Sequence, residues 1–531
     1  MIQMRRPSDR VDCLKSGASI VDTPEKWNKV AFYKLFLYLG VCYVLTLNMP
    51  DIVWDPELMQ VTLVLGTIGI WRFSWWFVHL IRAEIYGHIR YPLMRSRADD
   101  AWNKGWRPTH MHFLITTFHE RRETTELVLK SILHEARDTK LATTIWLGSG
   151  DNFDEEIMSR YIKQYGQDLA VKLNIVRQNV PGKRMAIGMI LRAMCRHGIG
   201  KDDLVCFMDG DAILDRGVIQ KCTSIFAHNK KVQAVTTNEE VMCYGPRWVG
   251  TWLSMRFAQR RIAMQSHSLS SKVLTLTGRM SVFRAPHLTK LEFIRKLEAD
   301  HLEHWLWGDF RFLSGDDKSS WYYMLLQDAH MLYIPDAMVY TVEEIEGWGL
   351  ARMTQNFWRW SGNMLRNGSR ALSLGPRKVG FFIWWCILDQ RVAMWTMLIS
   401  PILAISASVV IEPAFIVGYF TWIMCSRMLL SLFLYRYCDQ VHISFPIILY
   451  ANQVINAVVK IYCLFRLSKQ RWSHRGNQSA GLEHNLDLGV RTWIAFWLTI
   501  IWVSSIMLFS LLYSGIFHIP SYLHFMAYFM V

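Results

Sequence analysis

The sequence has no CxxC pair and no cysteine–histidine spacing of the kind that holds zinc. Its ten cysteines are scattered over 531 residues. Neither a disulfide framework nor a spaced zinc motif is implied, and the thiols are expected to be reduced and mostly buried. There is no signal-peptide pattern: the first apolar run starts only at Ala31, and no small-residue cleavage site follows it. No nucleic-acid motif accompanies the net charge of +15, and the basic residues are spread out rather than massed in a tail. Nucleic acid is set aside in favour of anionic lipid, an acidic substrate, or both. Internal repeats, low-complexity tracts and an arginine-rich regulatory tail are also missing.

The chain is rich in apolar and aromatic residues. It is 51% hydrophobic, with 24 Trp and 27 Met. That composition with strong positive charge is typical of membrane proteins with basic cytoplasmic faces. Apolar runs cover Ala31–Leu47 and Leu58–Ile81, separated by "NMPDIVWDPE", which has three acids and no Lys or Arg. Arg82, Arg90, Arg95, Arg97 and Lys104 follow the second run. The positive-inside rule then puts the N-terminus and everything after Ile81 in the cytoplasm. Beyond Gly380 the chain turns apolar again. Trp395–Ile411 and Ala414–Leu434 read as spanning helices joined at Glu412-Pro413, and Trp493–Tyr513 spans once more. Ile443–Leu467 is long enough to cross but carries Asn452, Gln453, Asn456 and Lys460, and a basic loop follows it. It reads as interfacial or re-entrant.

The polar middle alternates short apolar strands ("HFLITTF", "TTIWLGS", "KLNIVR", "LVCFMDGD", "VQAVTTN") with helical segments. That pattern predicts an α/β domain with a mostly parallel, Rossmann-like sheet. The expected organisation is a cytoplasmic N-terminal segment (1–30), two transmembrane helices (31–82), a cytoplasmic α/β domain ending in an interface helix (83–376), and C-terminal transmembrane and interfacial helices (377–531) with a basic cytoplasmic loop near 467–491.

Three stretches carry chemistry. "LVCFMDGD" runs a greasy strand into Asp209-Gly210-Asp211. Ligands of parallel sheets bind beyond such strand ends, and two carboxylates separated by a glycine can reach one hard divalent cation, Mg²⁺ or Mn²⁺. The bland alternative is a polar Asp-Gly turn. "FLSGDDKSSWYYMLL" puts Asp316-Asp317 at the start of a helical pattern. Such acids can cap the helix, or one can take a proton from a sugar hydroxyl. "TQNFWRWSGNML" is aromatic, basic and helical. It is an interface helix with Trp at the headgroups, or it offers Arg359 to a diphosphate and Trp360 to a sugar face.

Together, a strand-end DxD, a GDD element, a Gln/Arg/Trp element and flanking membrane helices resemble the processive family-2 glycosyltransferases: cellulose, chitin and hyaluronan synthases. The resemblance covers roughly Met111–Trp472. "RWSGNMLRNGSRALSLGP" is closer still to the alginate-polymerase branch, the mannuronan synthases. The resemblance implies that Asp209 and Asp211 hold the metal and Asp317 is the catalytic base. Glu120 ("TTFHER"), Asp151 ("WLGSGD"), Lys183 and Arg184 ("PGKRMA") would bind the nucleotide. Arg279 ("TGRMSVFR"), Asp316, Gln355, Arg359 and Trp360 would serve acceptor and diphosphate, with Trp472 and Arg475 ("RWSHRG") matching the Trp-x-x-Arg loop of hyaluronan synthases. Gln355 lies four residues before Arg359 where the family has three, and Asn356 is the other candidate for that role. The implied reaction is inverting transfer of mannuronate from GDP-mannuronate to a growing polymannuronate, which leaves between the membrane helices of a bacterial inner membrane. A cyclic-di-GMP receptor would be a separate membrane partner. The other readings are an exopolysaccharide synthase using a UDP-sugar, a non-processive lipid-linked sugar transferase, and a transporter or inactive scaffold.

Overall fold

The computed structural model describes residues 29–49, 51, 59–118, 120–179, 182–345, 347–434, 436–438, 443–472, 478–480 and 486–517. Two compact units emerge. His79–Ile387 and Leu467–Glu483 belong to the first; Lys26–Val78, Leu388–Arg466 and His484–Val531 belong to the second.

All five predicted strands form: β1 (Met111–Thr116), β2 (Thr143–Ser149), β3 (Val171–Arg177), β4 (Leu204–Asp209) and, past the short β5 (Ala212–Leu214), β6 (Val232–Tyr244). With β7 (Met280–Arg284) and β10 (His330–Glu344) they make one eight-stranded sheet, ordered β3-β2-β1-β4-β7-β6-β10-β5. The run β3-β2-β1-β4 is parallel, as is β6-β10, while β7 lies antiparallel to both β4 and β6. Every residue of β1 and β2 is buried, and His112, Thr116, Thr143, Thr144 and Ser149 are buried along with the apolar side chains between them. Pro335, with no N–H to donate, sits in the register shift between Ile334 and Met338 of β10. A small hairpin, β8 (His301–His304) and β9 (Gly308–Arg311), precedes the GDD element.

The second unit is helical. Among the described residues of the whole chain, five helices are long and apolar enough to cross a membrane, which fits a membrane protein with a soluble domain. The predicted break at Glu412-Pro413 falls between helices Phe381–Val410 and Ala414–Leu434. The segment read as interfacial or re-entrant is one continuous helix, Phe445–Leu464; a re-entrant turn would interrupt it. Its polar groups find partners within the unit. Arg427 Nε donates to Gln453 Oε1 at 3.0 Å, and the Tyr419 and Tyr450 hydroxyls meet at 3.2 Å. Arg72 pairs with Asp389. Pairing of this kind removes the cost of unmet polar groups in an apolar setting.

Candidate active site

β4 ends at Asp209, and the chain turns at Gly210 before β5. The Gly210 N–H donates to the Thr116 carbonyl at 3.1 Å. A Cβ there would lie 2.9 Å from Thr117 Cβ and 3.0 Å from that carbonyl oxygen, so glycine is required by close approach to the end of β1. Burial, and then the neighbouring Asp209 carboxylate, pushes the Asp211 carboxyl up to about 6. Two hard oxygen donors set side by side suit a divalent cation.

The GDD element reaches the same crevice through Lys183, the first residue of helix Lys183–His197. Its Nζ lies 2.7 Å from Asp209 Oδ1 and 3.0 Å from Asp316 Oδ2. Burial opposes its charge, but the two carboxylates outweigh burial and hold the ammonium above its usual range. Lys183, Asp209, Thr277, Gly278, Asp316 and Asp317 line one cavity. The two adjacent acids diverge. Burial would raise Asp316, yet Lys183 and Arg184 hold it below the usual carboxylate range. Asp317 is pushed up by burial and then by Asp316. One acid is thus a counter-ion, and the other has the raised proton affinity of a base.

Arg184 points elsewhere. It is 5% exposed, and its guanidinium donates to the Leu297 and Ser314 carbonyls, each at 2.9 Å, and to Ser319 Oγ at 3.0 Å. Those bonds hold the segment leading into Gly315-Asp316-Asp317. A strut continues from there. Ser319 Oγ donates to Asp300 Oδ2 at 2.5 Å, and Arg370 grips both Asp300 oxygens at 2.7 Å. Asn363 Oδ1 accepts from Ser314 Oγ at 3.0 Å and from Arg366, whose other nitrogen donates to the Leu467 carbonyl at 3.0 Å. Gly315 has φ +86°, and a Cβ on it would lie 2.7 Å from Asn363 Cγ. Sequence reasoning found "RWSGNMLRNGSRALSLGP" only as a resemblance; its Asn363, Arg366 and Arg370 brace the GDD turn.

Arg279 follows the crevice glycine Gly278. Its Nη1 meets Glu239 Oε2 at 2.9 Å, and Arg260 meets the same oxygen at 2.8 Å. Burial lowers the Arg279 charge preference, but Glu239, Glu343 and Asp211 outweigh it. Arg359, on helix Gly349–Ser373, is depressed by burial and by Arg352, and feels Glu343, Arg279 and Asp209. The third element therefore reaches the DxD end of the sheet. Trp360 stacks on Trp252 with centroids 6.2 Å apart, and the Arg256 guanidinium lies 4.6 Å from its ring. Gln355 is exposed, whereas Asn356 is buried with its amide 3.5 Å from Glu343 Oε1. Asn356, not Gln355, faces the charged interior.

The remaining expected residues are dispersed. Glu120 is partly buried in the loop after β1. Asp151 caps helix Asn152–Tyr165, its Oδ1 accepting from the Phe153 N–H at 2.8 Å and the Asp154 N–H at 3.3 Å. Trp472 ends the short strand Gln470–Trp472. Two residues earlier, Gln470 accepts from Leu313 N–H at 2.9 Å and donates to the Arg311 carbonyl at 2.8 Å, tying this loop to the approach of the GDD turn. Arg475 lies outside the described residues. Glu239, Arg260, Trp252 and Arg256 were missed from sequence. The first had a signal, because "VQAVTTNEE" places two adjacent acids within a strand pattern; unlike β4, which ends at its acid, β6 runs on through both to Tyr244.

Comparison with known proteins agrees with this architecture. Residues 108–363 match the family model described as glycosyltransferase like family 2. The chain is 37% identical over 439 residues to glycosyltransferase alg8 of Pseudomonas syringae pv. tomato, covering 82% of this chain and 89% of the relative. It is 35% identical to glycosyltransferase alg8 of Azotobacter vinelandii over 440 residues, covering 83% and 89%. Among solved structures, mannosyltransferase PcManGT from Pyrobaculum calidifontis, in complex with GDP-Man and Mn²⁺, aligns at 17% identity and TM-score 0.45, over 73% of this chain and 98% of that one. With these identities across most of its length, the chain belongs to the Alg8 glycosyltransferases, within glycosyltransferase family 2.

Proposed function

We propose that this glycosyltransferase polymerises mannuronate from GDP-mannuronate into (1→4)-linked polymannuronate, the alginate precursor, and passes the chain across a bacterial inner membrane. The observation that carries the reading is the single cavity in which the DxD acid Asp209, the bridging Lys183 and the GDD pair Asp316-Asp317 meet.

In this reading Lys183 and Arg359 orient the donor diphosphate. Asp209 and Asp211 would hold a divalent cation, Mg²⁺ or Mn²⁺, which their oxygen donors fit. When bound, it neutralises charge on the departing nucleoside diphosphate. Asp317 removes the proton from the acceptor hydroxyl. That hydroxyl attacks the anomeric carbon opposite the leaving group and inverts it, with no covalent enzyme intermediate. Asp316, paired with Lys183, stays ionised and keeps Asp317 basic. Arg279 and Trp360 serve the acceptor side, and Glu120 and Asp151 the nucleoside. Arg184 acts by holding the GDD turn. The soluble domain, 83–376, faces the cytoplasm, and a separate membrane protein supplies the cyclic-di-GMP receptor.

Membrane vesicles holding the chain and its partner, with cyclic-di-GMP and Mg²⁺, test this. Radiolabelled GDP-mannuronate and UDP-sugars are offered separately, and alginate-lyase-sensitive polymer is counted. Incorporation from GDP-mannuronate alone, lost in Asp317→Asn, is the expected result. Incorporation only from a UDP-sugar overturns the substrate. Tight binding of cyclic-di-GMP to the isolated chain overturns the partner.

A further inference from the structure

Away from the sugar-transfer crevice, three side chains far apart in sequence converge: His79 on helix Met59–Ile85, His267 near the end of helix Arg247–Ser268, and Cys386 on helix Phe381–Val410. One ring nitrogen of each histidine and the Cys386 sulfur lie within 4.8 Å of one another. We propose that His79, His267 and Cys386 form a structural metal site for a thiophilic closed-shell ion, Zn²⁺ or Cu⁺, distinct from the Asp209–Asp211 pair.

Four features point to a metal rather than to ordinary packing. The donors are an imidazole pair and a thiol, the set that soft and borderline ions select over oxygen ligands. His79 is oriented as metal-bound histidines are: its Nδ1 is 2.9 Å from Ser266 Oγ, which leaves Nε2 facing Cys386 Sγ at 3.9 Å. His267 is 4% exposed, and its Nδ1 has no hydrogen-bond partner, a cost that ordinary packing leaves unmet. The two histidine rings stand edge to face at 88°, centroids 5.4 Å apart, so they do not stack into one another. Metal–ligand bonds of about 2.0–2.3 Å need donors under about 4 Å apart. His79 and Cys386 already satisfy this, and all three donors lie within 4.8 Å of one another.

Charge is accounted for. Arg82 beside the site donates to the Ser266 carbonyl at 3.2 Å and to Ser270 Oγ at 2.6 Å, and stacks on Phe382 at 3.6 Å. One thiolate with Cu⁺ would leave the site neutral. The ion would pin together three helices, one of which carries Trp252, Arg256 and Arg260.

The test uses the full chain in detergent, loaded separately with Zn²⁺, Cu⁺ and Co²⁺. About one equivalent of Zn²⁺ or Cu⁺ per chain should survive dialysis, and Co²⁺ should give the near-ultraviolet thiolate charge-transfer band of a sulfur-ligated ion. Both signals should vanish in Cys386→Ser and weaken in His267→Gln, yet persist in Asp209→Asn, since the crevice offers no sulfur. Retention of the two metals by Cys386→Ser at the wild-type level overturns the site. So does a Co²⁺ spectrum of the wild type without the thiolate band, a result that needs no variant to fold.

Discussion

Asp316 and Asp317 sit side by side, yet Asp316 is held below the usual carboxylate range and Asp317 is pushed above it. Lys183 is close enough to Asp316 to ion-pair, so Asp316 stays charged and its field raises Asp317. A base with a raised pKa is protonated, and silent, at a pH where ordinary carboxylates still work. The acid limb of kcat/KM should therefore lie above the usual carboxylate range, with activity lost as pH falls through it. Lys183 itself pulls Asp317 down, so Lys183→Met should move that limb to higher pH. A pH–rate profile of the two proteins checks both signs. Asp317→Asn should cut turnover by about 10²–10⁴ while donor binding survives. Asp211, raised to about 6, must lose its proton before a cation binds. Divalent-metal affinity, read by calorimetry, should weaken as pH drops through about 6.

At the scale of elements, the GDD turn depends on a backbone that only glycine adopts without strain. Gly315→Ala adds about 1–2 kcal/mol from the left-handed backbone alone, before the clash with Asn363, which Ser314 and Arg366 hold in place. The melting temperature should fall by several degrees, and activity should drop further than stability explains because both acids move. Arg370→Ala leaves the 3%-exposed Asp300 without its bidentate partner and should cost about 3 kcal/mol in denaturant unfolding. Such contacts set what the sequence could tell. β1, β2 and β4 were legible because buried strands carry short apolar runs, and β3 because Val171, Leu173 and Ile175 alternate with Lys172 and Asn174. β7 was not, for five residues ending in Arg284 carry no period. β10 was hidden by Pro335. Asp209, Asp211 and Asp317 were legible as acids where an apolar strand or helix begins or ends. The inward turn of Arg184 toward Leu297 and Ser314, and the capping duty of Asp151, were not, because side-chain direction is settled by tertiary neighbours that no spacing encodes.

For the molecule as a whole, charge and hydropathy organise the chain into a helical unit and an α/β unit, with the sequence crossing between them after Val78, Ile387, Arg466 and Glu483. If the positive-inside reading holds, a periplasm-dependent reporter fused at Asp51 is active and one fused at Lys378 is inactive. The reverse pattern would place the transferase domain outside. The last excursion of the chain into the α/β unit, beginning at Leu467, is short, yet through Gln470 and Arg366 it touches the loop that presents the base. The brace therefore draws on four stretches: 297–300, 311–319, 363–370 and 467–470. None of these is a free-standing cassette. A chimera that grafts the GDD loop from a distant relative inherits a lock without its key unless the cognate Asn363, Arg366, Arg370 and Gln470 travel with it. Across relatives, these positions should change together or not at all.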